Sequence, residues 1–107
     1  MIFEIADIHV QPGRAAEFEQ ALNKGLHEVF PQARGFLGHE VQHCIETPER
    51  YVLLLRWETV EDHTVGFRSS PLFAQWRGLV GDFFAQPPKV EHFKCIDRST
   101  TVSGAER

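Results

Sequence analysis

The stretch RYVLLLRWE, Arg50–Glu58, decides the fold. Side chains alternate across a strand, so Tyr51, Leu53, Leu55 and Trp57 share one face while Val52 and Leu54 take the other. Both faces are apolar, which is the pattern of a central strand covered on both sides. Upstream, TPER reads as a turn and GFLGHEVQHCIE (Gly35–Glu46) as another strand, so the two strands form a hairpin with a loop of about four residues. Downstream, Thr59 stands where it can cap a short helix running to about Phe67, with Asp62 three residues on in a loose capping-box arrangement.

Working outward, IFEIADIHV (Ile2–Val10) is β-rich. It places Phe3, Ile5, Asp7 and His9 on one face and Ile2, Glu4, Ala6, Ile8 and Val10 on the other. After the QPG turn, Arg14–Phe30 carries Phe18, Leu22, Gly25, Leu26 and Val29 at helical spacing, and Pro31 stops that helix. Ser70 as N-cap and Pro71 at the first helical position open a second long helix, with Leu72, Phe73, Trp76, Leu79, Val80 and Phe83 as its apolar stripe. QPP ends it, and Lys89–Ile96 is the last strand.

The order β-α-β-β-α-β predicts an α+β, ferredoxin-like split β-α-β fold: a four-stranded antiparallel sheet with helices on one face. The face left open is expected to carry Ile8, Val10, Val52 and Leu54. A bare apolar sheet face is covered most cheaply by a second copy, so a homodimer packed sheet to sheet is expected. Residues 1–97 make the domain and 98–107 a polar tail.

A chain of 107 residues holds one domain, and 42% hydrophobic residues suffice for a core. The formal charge of −4 and the lack of a Lys/Arg cluster argue against nucleic acid or an anionic membrane as partner. The opening MIFEIADIHV, with Glu4 and Asp7, does not read as a signal peptide, and no apolar run approaches the roughly 20 residues of a membrane span, so a cytoplasmic location is expected. Cys44 and Cys95 form no CxxC pair and read as free thiols. There is no dinucleotide fingerprint, no P-loop and no metal-spaced cluster, so neither a cofactor nor a metal is expected. Of six histidines, His39 and His43 are four apart, but a strand separates them by about 13 Å, too far for one metal. Glu58, Glu61 and Asp62 read as a solvated helix entrance.

The remaining chemistry lies where sheet meets helices. Trp57 ends the central strand and faces the segment holding His63. Arg77 follows Phe73 by one helical turn, on the flank of the buried stripe. Asp7 and His9, on the face of Phe3 and Ile5, are expected to add polar groups at the mouth of an apolar cavity suited to a small molecule.

The segments IHVQPGRAAEFEQAL, GFLGHEV, RYVLLLRWE and SSPLFAQW, with the PP before the last strand, together resemble the antibiotic biosynthesis monooxygenase family over roughly Met1 to Ile96. The resemblance implies a dimeric α/β barrel built on the ferredoxin-like fold. Members that oxidise anthrone-type polyphenols without a cofactor use a strand tryptophan followed by Glu, which Trp57-Glu58 matches. Their tyrosine six residues later falls at His63, their helix arginine at Arg77, and their strand asparagine at Leu53. In the haem-degrading members the corresponding positions fall at Asp7, Phe67 and Arg77. The axial histidine is missing here, which disfavours haem degradation.

The resemblance and the residues together lead to an expectation of cofactor-independent oxygenation, by molecular oxygen, of a small electron-rich aromatic of quinol, phenol or anthrone type. The candidate catalytic residues are His63 as base or proton shuttle, Arg77 as holder of a phenolate or peroxy anion, and Trp57 as indole N–H donor. Asp7, His9, Leu53, Phe67 and Phe73 are the candidate substrate-binding residues. Two alternatives stand beside this reading: a ligand-binding or stress-associated dimer without turnover, for which Leu53 speaks, and an isomerase on the same fold.

Overall fold

A computed structural model describes residues 1–100. Most of the expected polar tail, 101–107, lies outside the described residues. The strands are β1 (Ile2–His9), β2 (Phe36–His43), β3 (Arg50–Trp57) and β4 (Lys89–Phe93), and the α-helices are α1 (Ala15–Lys24) and α2 (Pro71–Val80). The sheet is antiparallel throughout in the order β2-β3-β1-β4, so β3 and β1 are central. This is the ferredoxin-like arrangement, with the helices on one face.

Local chemistry explains the element ends. Ser70 Oγ accepts the Leu72 N–H at 3.2 Å and Pro71 takes the first helical position, so α2 starts as its sequence dictates. Helix α1 is shorter than the apolar spacing predicts. The chain passes into a π-helical turn over Gly25–Val29 and a 3₁₀ turn over Phe30–Gln32. At Gly25 a Cβ would lie 2.6 Å from the Trp76 ring, so only glycine lets α2 approach this closely. α2 also ends early, at Val80, followed by a 3₁₀ turn over Gly81–Phe83.

On β3 the buried set is Tyr51, Leu53, Leu55 and Trp57, which packs against Phe18, Leu22, Leu26 and Phe30 under the helices. On β1 the buried set is Glu4, Ala6 and Ile8, continued just past the strand by Val10. This reverses the expectation for β1. The register pairs Glu4 with Leu55, Ala6 with Leu53 and Ile8 with Tyr51, and partners in a ladder share a face. Asp7 and His9 therefore lie on the open face and not at the mouth of a sheet–helix cavity, and Ile8 and Val10 belong to the core. The open face carries Phe3, Ile5, Val52 and Leu54, all half-buried, with Leu37 and Phe93 exposed. Arg50 crosses that face to fork Asp7, with Nε to Oδ1 at 2.9 Å and the second nitrogen to Oδ2 at 2.7 Å. Cys44 and Cys95 are free thiols. No helix among the described residues is long and apolar enough to cross a membrane.

Candidate active site

The register assembles a polar cluster inside this apolar interior. Glu4 is paired with Leu55 on one side and with His92 of β4 on the other, so Glu4 and His92 stand side by side on the helix-facing side of the sheet. Trp57, two residues beyond Leu55, is the diagonal neighbour of Glu4 on that face. A π-helical turn, Asp62–Phe67, lies over them. Thr59 Oγ1 accepts the Asp62 N–H at 3.1 Å where that turn begins, and its buried residues are His63 and Phe67. π-Helical turns of this kind are often placed at functional sites.

Trp57 Nε1–H donates to Glu4 Oε1 at 3.0 Å. His63 Nε2 lies 3.3 Å from the same oxygen. The other ring nitrogen of His63, Nδ1, is hydrogen-bonded to His92 Nε2 at 2.8 Å. The Trp57 and His63 rings stack with centroids 5.4 Å apart. The side chains of Glu4 and His63 are only 7% and 4% exposed, whereas His92, at the sheet edge, is half-buried.

Burial sets the protonation of this cluster. It pushes the Glu4 carboxyl up to about 7, against the opposing pull of the Trp57 hydrogen bond and the Arg68 charge. It pushes His63 down to about 4, helped by the positive charge of Arg68 and by His92. His92 is lowered as well, by partial burial and by Arg68. Near neutral pH, His63 is thus uncharged and Glu4 is poised between acid and carboxylate. His63 Nε2 points to Glu4 and its Nδ1 to His92. Glu4 Oε2 has no hydrogen-bond partner among the described residues.

Glu4 and His63 open onto a cavity of about 740 Å³ between sheet and helices, a volume suited to a small organic ligand. Leu53, Leu55, Phe67, Phe73 and Trp76 supply apolar wall, and Arg68 and Arg77 bring two guanidinium groups to it. Both arginines are exposed and neither is in an ion pair among the described residues. Arg77 lies over the Phe73 ring at 5.8 Å.

Of the residues singled out in the sequence, His63, Arg77, Leu53, Phe67 and Phe73 line this cavity. Trp57 is fully buried and outside the lining; it reaches the site through its hydrogen bond to Glu4 and its ring contacts with His63 and Phe67. Asp7 and His9 are on the opposite face. Glu4, Arg68 and His92 are the polar groups that sequence reasoning missed. One signal for Glu4 was present: a lone carboxylate among Ile2, Ala6, Ile8 and Val10 on one strand face. No group of three or more His, Cys, Asp or Glu side chains placed to hold a metal ion occurs among the described residues.

The class defined by fold and site is a ferredoxin-like α+β domain with an acid–imidazole pair at the wall of an apolar, arginine-flanked cavity. The family model for antibiotic biosynthesis monooxygenase matches residues 1–79, and the chain belongs to that family. It is 37% identical over 96 residues to the uncharacterized protein YczJ of Bacillus subtilis (strain 168), a match covering 90% of this chain and all of YczJ. A crystal structure from Bordetella bronchiseptica, of a protein named for the same family, is 47% identical, with a TM-score of 0.86, covering 89% of this chain and 96% of that one. SnoaB, a cofactor-independent oxygenase from Streptomyces nogalater, shares the fold at 16% identity and a TM-score of 0.77, covering 91% of this chain and 94% of SnoaB.

Proposed function

We propose that this protein is a cofactor-independent monooxygenase acting on a small, electron-rich hydroxylated aromatic of quinol, phenol or anthrone type, with molecular oxygen as co-substrate. The observation that carries the proposal is Glu4: a buried carboxyl held near pH 7 at the wall of an apolar cavity, with one oxygen unpartnered among the described residues. A base poised near the working pH is what abstraction of an acidic aromatic proton requires. Membership of the family and the likeness in fold to SnoaB point the same way.

Glu4 rather than His63 is the base in this reading, because both ring nitrogens of His63 already face partners. For an anthrone, the Glu4 carboxylate takes a ring-methylene proton, and the resulting anion gives an electron to oxygen. Recombination forms a carbon–oxygen bond, and the peroxide anion is protonated from Glu4. Loss of the second methylene proton then breaks the O–O bond and expels hydroxide, which leaves as water. In balance, one CH₂ and one O₂ become one C=O and one H₂O. Arg77 and Arg68 stabilise the aromatic and peroxy anions, where a planar guanidinium is well suited. Trp57 holds Glu4 in place.

Oxygen uptake with a panel of anthrones, naphthohydroquinones and catechols tests this. The expected result is one O₂ consumed per substrate, with Glu4→Gln lowering kcat at least about 100-fold. Leu53, apolar where a polar side chain would grip a substrate hydroxyl, favours a second reading, a ligand-binding protein without turnover. Tight binding of such aromatics with no oxygen uptake would select it. Product formation without oxygen uptake would instead select an isomerase.

We also propose that Phe3, Ile5, Val52 and Leu54 form the contact between two copies of the chain, since they leave an apolar face uncovered. Light scattering is expected to give twice the chain mass, and Leu54→Lys is expected to shift it toward the monomer.

A further inference from the structure

We propose that His63 and His92 form a two-imidazole relay that carries the proton taken by Glu4 out of the cavity to the edge of the sheet, making His92 a positioning residue for the reaction. The proposal rests on Glu4 being the base. Its basis is a line of three groups from three separate elements: Glu4 on β1, His63 on the π-helical turn and His92 on β4, at successive gaps of 3.3 and 2.8 Å. The first two are almost fully buried and line the cavity, and the third is half-buried, outside its lining.

A buried His63 needs only one nitrogen fixed in order to hold its ring in place. Here both are, one toward the acid and the other toward a second imidazole at the sheet edge. An imidazole bonded at both nitrogens passes a proton by accepting at one and releasing at the other. In the step proposed, Glu4, protonated at Oε2, turns its carboxyl to bring that O–H to His63 Nε2, and the proton moves there while the His63 Nδ1 proton moves to His92 Nε2. One N–H forms and one breaks at His63, Glu4 is again a carboxylate, and the positive charge appears on His92, which can release its Nδ1 proton to water. The chain runs backwards when the peroxide anion must be protonated, and that return resets both tautomers. The gain is that the proton is parked away from the aromatic anion while oxygen reacts with it. Arg68 is the cation whose charge acts on all three members, and it disfavours a resting imidazolium, so the charge on His92 is transient.

The relay has a test that requires no substrate. With ¹⁵N-labelled histidine and ¹³C-labelled glutamate, NMR titration follows the Glu4 carboxyl and the four ring nitrogens of His63 and His92. The expected result is that both rings exchange tautomers over the pH interval in which Glu4 titrates. A His63 ring that keeps one tautomer throughout that interval would overturn the relay. The kinetic arm uses His92→Gln, which can bond to His63 Nδ1 but cannot pass a proton. It is expected to lower kcat about 10-fold or more with KM unchanged, and His92→Ala is expected to recover with added imidazole. Wild-type kcat and pH profile in His92→Gln would also overturn it, while leaving the oxygenase reading intact. If no aromatic is oxidised but the tautomers move with Glu4, the oxygenase reading fails and the relay stands.

Discussion

Strand β1 carries two carboxylates three residues apart, and the two faces of one sheet make different groups of them. Glu4 faces the helices, almost fully buried, with Trp57 and His63 against it and no lysine or arginine within ion-pair distance among the described residues. Its carboxyl rises to about 7. Asp7 faces the open side, where the Arg50 fork holds it below the usual carboxylate range, with His9 and Lys89 adding to the pull. Burial that outweighs the more distant pull of Arg68 produces a base for neutral pH, and direct pairing produces an acid that stays ionised. On the proposed reading, the same residue class on the same strand serves chemistry on one side and architecture on the other.

The sharpest way to break this comparison is to neutralise each acid in turn. Glu4→Gln is expected to reduce oxygenation at least about 100-fold, and Asp7→Asn to leave it within about threefold, as measured by oxygen uptake. Equal losses in both would erase the distinction between the faces.

Stability against pH gives the next largest effect. The folded pKa of Glu4 is raised from 4.5 to about 7, so its contribution to stability is fully present below pH 4.5 and is lost as pH rises through 7. His63 runs the other way. Its pKa falls from 6.5 to about 4, so its contribution is present above pH 6.5 and is lost as pH falls through 4. The two oppose each other between roughly pH 4.5 and 6.5. Glu4→Gln removes one of them. The variant is expected to match the parent in denaturant titrations below pH 4.5 and to exceed it by up to about 3 kcal/mol above pH 8.

How much of this was legible in the sequence depends on whether alternation had contrast. β3 was readable because the unbroken run from Tyr51 to Leu55 admits only a central strand, and Ser70-Pro71 announced α2 by its cap. β1 was not readable by face. Ile2, Ala6, Ile8 and Val10 with Glu4 oppose Phe3 and Ile5 with Asp7 and His9, so each face mixes apolar residues with an acid and period-two reasoning had only weak contrast to choose by. The register with β3 decides the matter, and register is a long-range property. His63 and Arg77 could be reached from their nearness to the central strand and the buried stripe. His92 could not, since its place beside Glu4 exists only through the pairing of β1 with β4.

The smallest expected effect concerns the tether between Trp57 and Glu4. Trp57→Phe keeps the ring but deletes the N–H that favours the carboxylate, so the Glu4 pKa is expected to rise further. The acid limb of the pH–rate profile would then move to higher pH, with little change in the plateau rate. A limb that stayed in place would separate Trp57 from the site and return it to the core alone.

The most direct measurement is the ionisation of Glu4 itself, followed through its ¹³C carboxyl resonance in the folded protein and assigned by its loss in Glu4→Gln. The expected result is a midpoint near pH 7. A midpoint at the ordinary carboxylate value of 4.5 would contradict it, because a carboxyl that titrates there is not the poised base on which the proposed chemistry depends.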